Sequence, residues 1–188
     1  WRLDSTIMGI FLKDINLKNK TALITGATKG IGRGTSIALA QAGANIIAVG
    51  RNQSELISLG KIIKKLRVKY TCFNCDVNNY NSMKTYINKI KKLDILVNNA
   101  GTNIPEPFLH VKKESLETIL EVNTKAVFNI AQLCANRIIK LNKKGGSIIN
   151  ISSIFGLVAG QNRTVYSMTK FGVEGLTKGM ALDLAKYN

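Results

Sequence analysis

Apolar and polar positions along the chain fall into two alternating textures. Short runs in which Ala, Val, Ile and Leu stand side by side, as in Thr21 to Thr25 and Asn45 to Gly50, close on turn residues. Between them lie longer stretches where apolar residues recur every three or four positions, the spacing of a helix with one buried face. Unbroken apolar runs suit strands covered on both sides, and their alternation with helices builds the crossover units of a parallel sheet. The spacing predicts strands over residues 21–25, 45–50, 68–73, 94–97 and 147–152. It predicts helices over 30–42, 53–66, 79–91, 112–141 with a bend near Asn123, and 164–187. The expected fold is α/β: one domain with a doubly wound parallel β-sheet and helices on both faces.

Length and composition narrow this further. A chain of 188 residues, 45% hydrophobic, holds one sizeable core and does not divide convincingly into two. No window is apolar for the length of a membrane span, and the start lacks the pattern of a secretory leader, so a cytoplasmic protein without a membrane partner is expected. The series is preceded by residues 1–16, read as an N-terminal extension in which Met8 is a more natural start than Trp1. It stops after the fifth strand and its helix, whereas a sheet of this kind ordinarily continues into another strand. The domain, residues 17–188, is therefore expected to be incomplete at its C-terminal end.

The formal charge of +16 raises the question of nucleic acid. Yet Lys61, Lys64 and Lys65, like Lys89, Lys91 and Lys92, are spaced among the Leu and Ile of helical faces. They read as solvated helix surface, and no nucleic-acid partner is expected. Three cysteines do not suggest a disulfide framework, and Cys72 and Cys75 have neither a second pair nor a suitable histidine for a metal, so no metal site is expected. The single histidine, His110, excludes the usual Ser-His-Asp hydrolase.

Candidate chemistry begins at Thr25-Gly26-Ala27-Thr28-Lys29-Gly30-Ile31-Gly32, which follows the first strand and opens the first helix. That is the context of a dinucleotide-phosphate loop: Gly26 permits the tight turn, Gly30 lets backbone approach a pyrophosphate, and Gly32 allows helix to pack closely on strand. The helix start then offers free N–H groups and a positive dipole end to the anion. Cofactor choice depends on the end of the second strand, where a carboxylate suits a ribose diol and repels a 2′-phosphate. Here the strand ends Val49-Gly50-Arg51-Asn52. Arg51 can hold a phosphate through its forked donors and Lys29 adds a second positive charge, so NADP(H) is favoured over NAD(H).

Tyr166 and Lys170, four residues apart on a predicted helix, project from one face. A phenol ordinarily holds its proton too tightly for a base at neutrality, and a neighbouring ammonium favours the phenolate. Such a tyrosine can give a proton to a carbonyl oxygen or remove one from an alcohol. Thirteen residues before Tyr166, Ser153 ends the β-like run Ile148-Ile149-Asn150-Ile151-Ser152-Ser153.

The T-G-x-x-x-G-x-G loop, Asp76-Val77 after the third strand, Asn98-Asn99-Ala100-Gly101 after the fourth, and Tyr166-Ser167-Met168-Thr169-Lys170 together resemble the short-chain dehydrogenase/reductase family in its shorter form. The resemblance runs from Leu17 onward. It implies a Rossmann-type fold and a nicotinamide-dependent oxidoreductase acting on a small carbonyl or alcohol. The loop from Gly26 through Thr28, Lys29, Gly30 and Ile31 to Gly32 would bind cofactor with Arg51, Asp76 at the adenine, Val77, Asn98, Ala100 and Gly101. The resemblance makes Ser153, rather than Ser152, the catalytic serine. It gives Tyr166 the proton-transfer role and lets Lys170 grip the nicotinamide ribose as well. Asn123 would support a water leading protons toward Lys170. Implied activities are reduction of a 3-oxoacyl thioester or, alternatively, a sugar-acid or polyol dehydrogenase such as a gluconate dehydrogenase. A non-catalytic nucleotide-binding regulator is a further alternative, although Ser153, Tyr166 and Lys170 are all present. Relatives also imply a homo-oligomer, dimer or tetramer.

Overall fold

The computed structural model describes residues 15–142 and 145–187. Residues 1–14 of the expected extension, Met8 included, lie outside the described residues.

Five strands, β1 (Thr21–Thr25), β2 (Asn45–Gly50), β3 (Tyr70–Asn74), β4 (Ile95–Asn98) and β5 (Ser147–Asn150), form one parallel sheet in the order β3-β2-β1-β4-β5. The order reverses between β1 and β4, so the carboxyl ends of these two strands diverge at a crevice, the place where open α/β sheets collect ligands. Thr21 pairs with Asn45 on one side of β1, and Ala22 pairs with Ile95 on the other. The buried Asp94 carboxylate closes the opposite end of that junction by accepting from the Thr21 amide at 2.9 Å and from Lys20 Nζ at 3.4 Å.

Helices α1 (Gly30–Gln41) and α2 (Gln53–Lys64) cover one face. Helices α3 (Tyr80–Lys89), α4 (Lys113–Leu120), α5 (Ala126–Leu141) and α6 (Thr164–Leu184) complete the helical complement. Alternation along the central strands divides the core in two: Ala22, Ile24, Ile46 and Ala48 pack with Leu56, Leu59 and Ile63 of α2, while Leu23, Ile47 and Leu96 pack with Met83 and Ile87 of α3 and Ile130 and Cys134 of α5. Continuous apolar composition in β1 and β2 is thus the consequence of two buried faces. Cys72 and Cys75 contact opposite halves of the core and are free thiols, and burial pushes the Cys134 thiol up to about 12.

Element boundaries follow the expected ones closely, with four instructive differences. β3 starts at Tyr70 rather than residue 68, because Arg67 takes a left-handed φ of 60° in the turn that precedes it. β5 stops at Asn150, and Ile151 adds one last amide bond to the Asn98 carbonyl before the chain leaves the sheet. The expected bend at Asn123 is a π-helical turn, Glu121–Lys125, set between α4 and α5. The last turn of the final helix tightens into a 3₁₀ turn, Ala185–Tyr187. Among the described residues no helix is long and apolar enough to cross a membrane.

Candidate active site

A polar cavity of about 540 Å³ opens where the carboxyl ends of β1, β2 and β4 meet. The glycine loop forms one wall. Gly26 has a φ of 62°, and a Cβ there would stand 2.9 Å from Asn99 Nδ2. A Cβ on Gly32 would stand 2.3 Å from the Gly26 carbonyl oxygen, so the absence of a side chain at Gly32 lets α1 begin directly under the loop. Gly30, with φ 54°, faces open space instead. Lys29 precedes α1 without giving it a side-chain cap, and no acid occupies the first turn. The helix start therefore presents uncapped N–H groups and its positive dipole end. Ile31 is 66% exposed on that first turn.

Thr28, Lys29 and Arg51 line the cavity, as do Asp76 and Val77 across from them. The exposed Arg51 guanidinium reaches the Asp76 carboxylate at 3.6 Å. Ala100 and Gly101 line it from the β4 side. Asn98 differs from the expectation. Its side chain is buried and turned into the sheet, donating to the Val127 carbonyl at 3.1 Å and to Asn150 Oδ1 at 3.0 Å, and the cavity is lined instead by Asn99. Asn99 Nδ2 donates to the carbonyls of Thr25 and Gly26 at 3.0 and 3.2 Å. Thr25 Oγ1 accepts from the amides of Asn99 and Ala100, both at 3.0 Å. Thr25 and Asn99 thereby fix the glycine loop to the end of β4. Arg33 stiffens the same loop from outside by donating to the Thr28 carbonyl at 3.4 Å. Thr25 and Asn99 fall inside motifs that the sequence displays, but these partners, like those of Arg33, are set by the fold.

Beyond β5 the chain passes Ser153, whose hydroxyl accepts from the Phe155 amide at 3.2 Å and starts a 3₁₀ turn, Ile154–Gly156. Phe155 then packs edge-on against the Tyr166 ring, centroids 6.2 Å apart, which sets the Ser153 turn beside α6. On that helix Lys170 Nζ lies 5.6 Å from the Tyr166 ring centre. Lys170 is 5% exposed, its amine donates to the Ile151 carbonyl at 2.7 Å, and burial lowers its pKa from the ordinary lysine value. Asn123 is fully buried. Its Oδ1 accepts from the Thr102 amide and its Nδ2 donates to the Thr102 carbonyl, both at 2.8 Å. Gly101 lies next to that clasp; a Cβ on it would be 3.4 Å from Asn123 Oδ1 and 3.9 Å from Lys170 Nζ.

The uncapped start of α1, the open space before Gly30 and the basic rim fit an anionic dinucleotide, and a tyrosine–lysine pair stands at the neighbouring strand ends. Together these define a dinucleotide-dependent enzyme of the doubly wound α/β type. The chain belongs to the short chain dehydrogenase family, whose model matches residues 20–188. It is 35% identical over 178 residues to the 3-oxoacyl-[acyl-carrier-protein] reductase FabG of Thermotoga maritima, covering 93% of this chain and 72% of that protein. It is 37% identical over 174 residues to the L-xylulose reductase of Mesocricetus auratus, covering 93% and 69%. The structure resembles the carveol dehydrogenase of Mycobacterium avium in complex with NAD, with a TM-score of 0.87, 25% identity, and coverage of 92% of this chain and 68% of that one. The protein is an NAD(P)-dependent oxidoreductase.

Proposed function

We propose that the protein reduces a carbonyl to a secondary alcohol with NADP(H), and runs the reverse reaction when alcohol and oxidised cofactor prevail. The observation that carries this reading is the buried Lys170 amine beside the Tyr166 ring, one element away from the Ser153 turn. The glycine loop and α1 would hold the pyrophosphate, Asp76 and Val77 the adenine end, and Lys170 the nicotinamide ribose. The bound cofactor supplies the hydride.

The chain's own residues manage the oxygen. Ser153 donates a hydrogen bond to the substrate carbonyl and steadies the charge that develops there. Tyr166 donates to the same oxygen and releases its proton to it, leaving a phenolate that the adjacent Lys170 cation stabilises. One C–H bond and one O–H bond form at the substrate as the carbonyl π bond, the donor C–H bond and the Tyr166 O–H bond break, and Tyr166 is reprotonated from solvent past Lys170, on the side of Gly101. NADP(H) is favoured because Arg51 and Lys29 line the cavity beyond the end of β2 and the strand itself carries no acid; Arg51, paired with Asp76 at 3.6 Å, would turn to a 2′-phosphate.

The FabG relative supports a 3-oxoacyl thioester as substrate. The L-xylulose reductase relative supports a second reading, a sugar, sugar acid or polyol. The same reading takes the enzyme to be a cytoplasmic homo-oligomer. Cofactor absorbance is followed with NADPH or NADH against acetoacetyl-CoA and L-xylulose. NADPH-dependent turnover that disappears in Tyr166→Phe is the expected result. Tight NADPH binding with no turnover on any carbonyl would overturn it in favour of a nucleotide-binding regulator.

A further inference from the structure

Thr169 stands between the two residues of the tyrosine–lysine pair and has no part in the reaction just described. It is 2% exposed. Its hydroxyl donates to the Tyr166 carbonyl at 2.7 Å, a back-bond of a kind that helix threonines often make. Back-bonding does not explain its other contact: Thr169 Oγ1 accepts from Asn123 Nδ2 at 3.2 Å, across 46 residues of sequence. Asn123 is itself clasped at both its oxygen and its nitrogen by the Thr102 backbone. One line of hydrogen bonds therefore runs from the loop after β4, through the π-helical turn, to the turn of α6 that carries Tyr166 and Lys170.

We propose that Thr169 is a positioning residue, whose hydroxyl couples the Asn123 turn to the Tyr166–Lys170 turn and sets the proton-transfer geometry. The proposal rests on the reductase reading for its catalytic consequence, but the coupling itself does not. The carboxamide of Asn123 has two N–H donors, and Thr102 and Thr169 accept from that group. Deleting the Thr169 hydroxyl leaves a buried donor short of an acceptor, and such a group recovers a partner by moving. Movement of Asn123 loosens Thr102 on one side and the turn of α6 on the other. Displacements on the order of 1 Å in a proton-transfer pair cost rate while leaving substrate binding nearly intact. Asn123 sits in the π-helical turn, a form uncommon and concentrated at functional sites, and the shift passes through that turn.

The test compares Thr169→Val, which deletes the hydroxyl at constant volume, with Thr169→Ser, which keeps it. Ser167→Ala on the same helix is the control, since the Ser167 hydroxyl is buried without a partner among the described residues. Deuterium exchange of the Thr102 amide, followed by NMR, reads the coupling without any turnover. It is expected to quicken by about tenfold in the valine variant and by less than about twofold in the serine and control variants. In the kinetic arm, kcat falls by roughly 10- to 100-fold in Thr169→Val, with KM and NADPH affinity held within about twofold. The pH profile of kcat/KM moves, and Thr169→Ser restores both. Unchanged Thr102 exchange in Thr169→Val overturns the proposal, as does a serine variant as slow as the valine one. Absence of turnover in the unaltered protein, with the Thr102 amide still responding, would instead reject the reductase reading and leave the coupling standing. If the valine chain does not fold, Thr169→Ala deletes the same hydroxyl and is read in the same way.

Discussion

The two ends of the crevice are made of different material. On the β1–β2 side the site is main chain: glycines at close approach, an uncapped helix start, and loop carbonyls held by Asn99. On the β4–β5 side it is side chain: Asn123, Thr169, Tyr166 and Lys170, carried on a π-helical turn and one helix. Backbone cannot be altered without altering the fold, whereas a buried side chain can be exchanged inside a fold that persists. Damage on the first side should therefore appear as lost stability, and damage on the second as lost chemistry.

Tyr166→Phe gives the largest expected effect and the cleanest version of this contrast. Removing the proton donor lowers kcat by about 10³-fold, equivalent to ~4 kcal/mol of barrier, while the ring keeps its edge contact with Phe155. Turnover and thermal unfolding measured together check it, and a large fall in melting temperature would break the comparison. Next comes Gly32→Val, whose Cβ would meet the Gly26 carbonyl oxygen at 2.3 Å. A loss of about 3 kcal/mol in urea unfolding is expected, with any folded fraction binding NADPH poorly.

Arg51→Ala sharpens the contrast from within the backbone-built side, because Arg51 is an exposed side chain there. NADPH affinity should drop roughly tenfold, with NADH affinity and stability nearly unchanged, as titration by cofactor fluorescence would show. Equal losses for both cofactors would remove Arg51 from the phosphate. The smallest effect is the pH slope of stability in Lys170→Met. Burial holds the Lys170 amine below its ordinary pKa, so as pH rises through that lowered value the folded amine is neutral while the unfolded one still binds a proton. The wild-type protein then gains stability relative to the methionine variant as pH rises from that lowered value toward the ordinary lysine value, which denaturant titrations at a series of alkaline pH values would show. A difference independent of pH would mean that the folded protein holds its lysine proton as firmly as the unfolded chain.

What could be read from residues alone divides along the same line. β1 and β2 were legible to the residue because runs such as Ala22-Leu23-Ile24 have one physical use, a strand buried on both faces. The glycine loop was legible because spacing and context coincide in a few consecutive residues. Tyr166 and Lys170 lie one helical turn apart, so their proximity was also a local matter. The parts played by Thr25, Asn99 and Thr169 were not legible although each stands inside a motif, since each works through partners 46 to 75 residues away. Asn98 shows the converse: the two adjacent asparagines look alike in sequence, but strand alternation turns Asn98 into the sheet and leaves Asn99 at the cavity. The bend at Asn123 is expected from the sequence, but the clasp of its side chain with Thr102, 21 residues away, is a tertiary contact that no helical pattern encodes.

The strand order has a consequence for how the chain comes to life on the ribosome. β1 emerges first, and β2 can reach it after a single crossover, but the partner on its other side begins at Ile95. Until that segment leaves the exit tunnel, the carbonyls of Thr25 and Gly26 have no Asn99 to hold them and the Thr21 amide has no Asp94 carboxylate. Long-range closure of this kind is the slow step of parallel sheets, and domains form vectorially as they are synthesised. The nascent phosphate loop thus acquires its final shape only after Asn99 has emerged, and the interval before that is when β1 is open to wrong pairing.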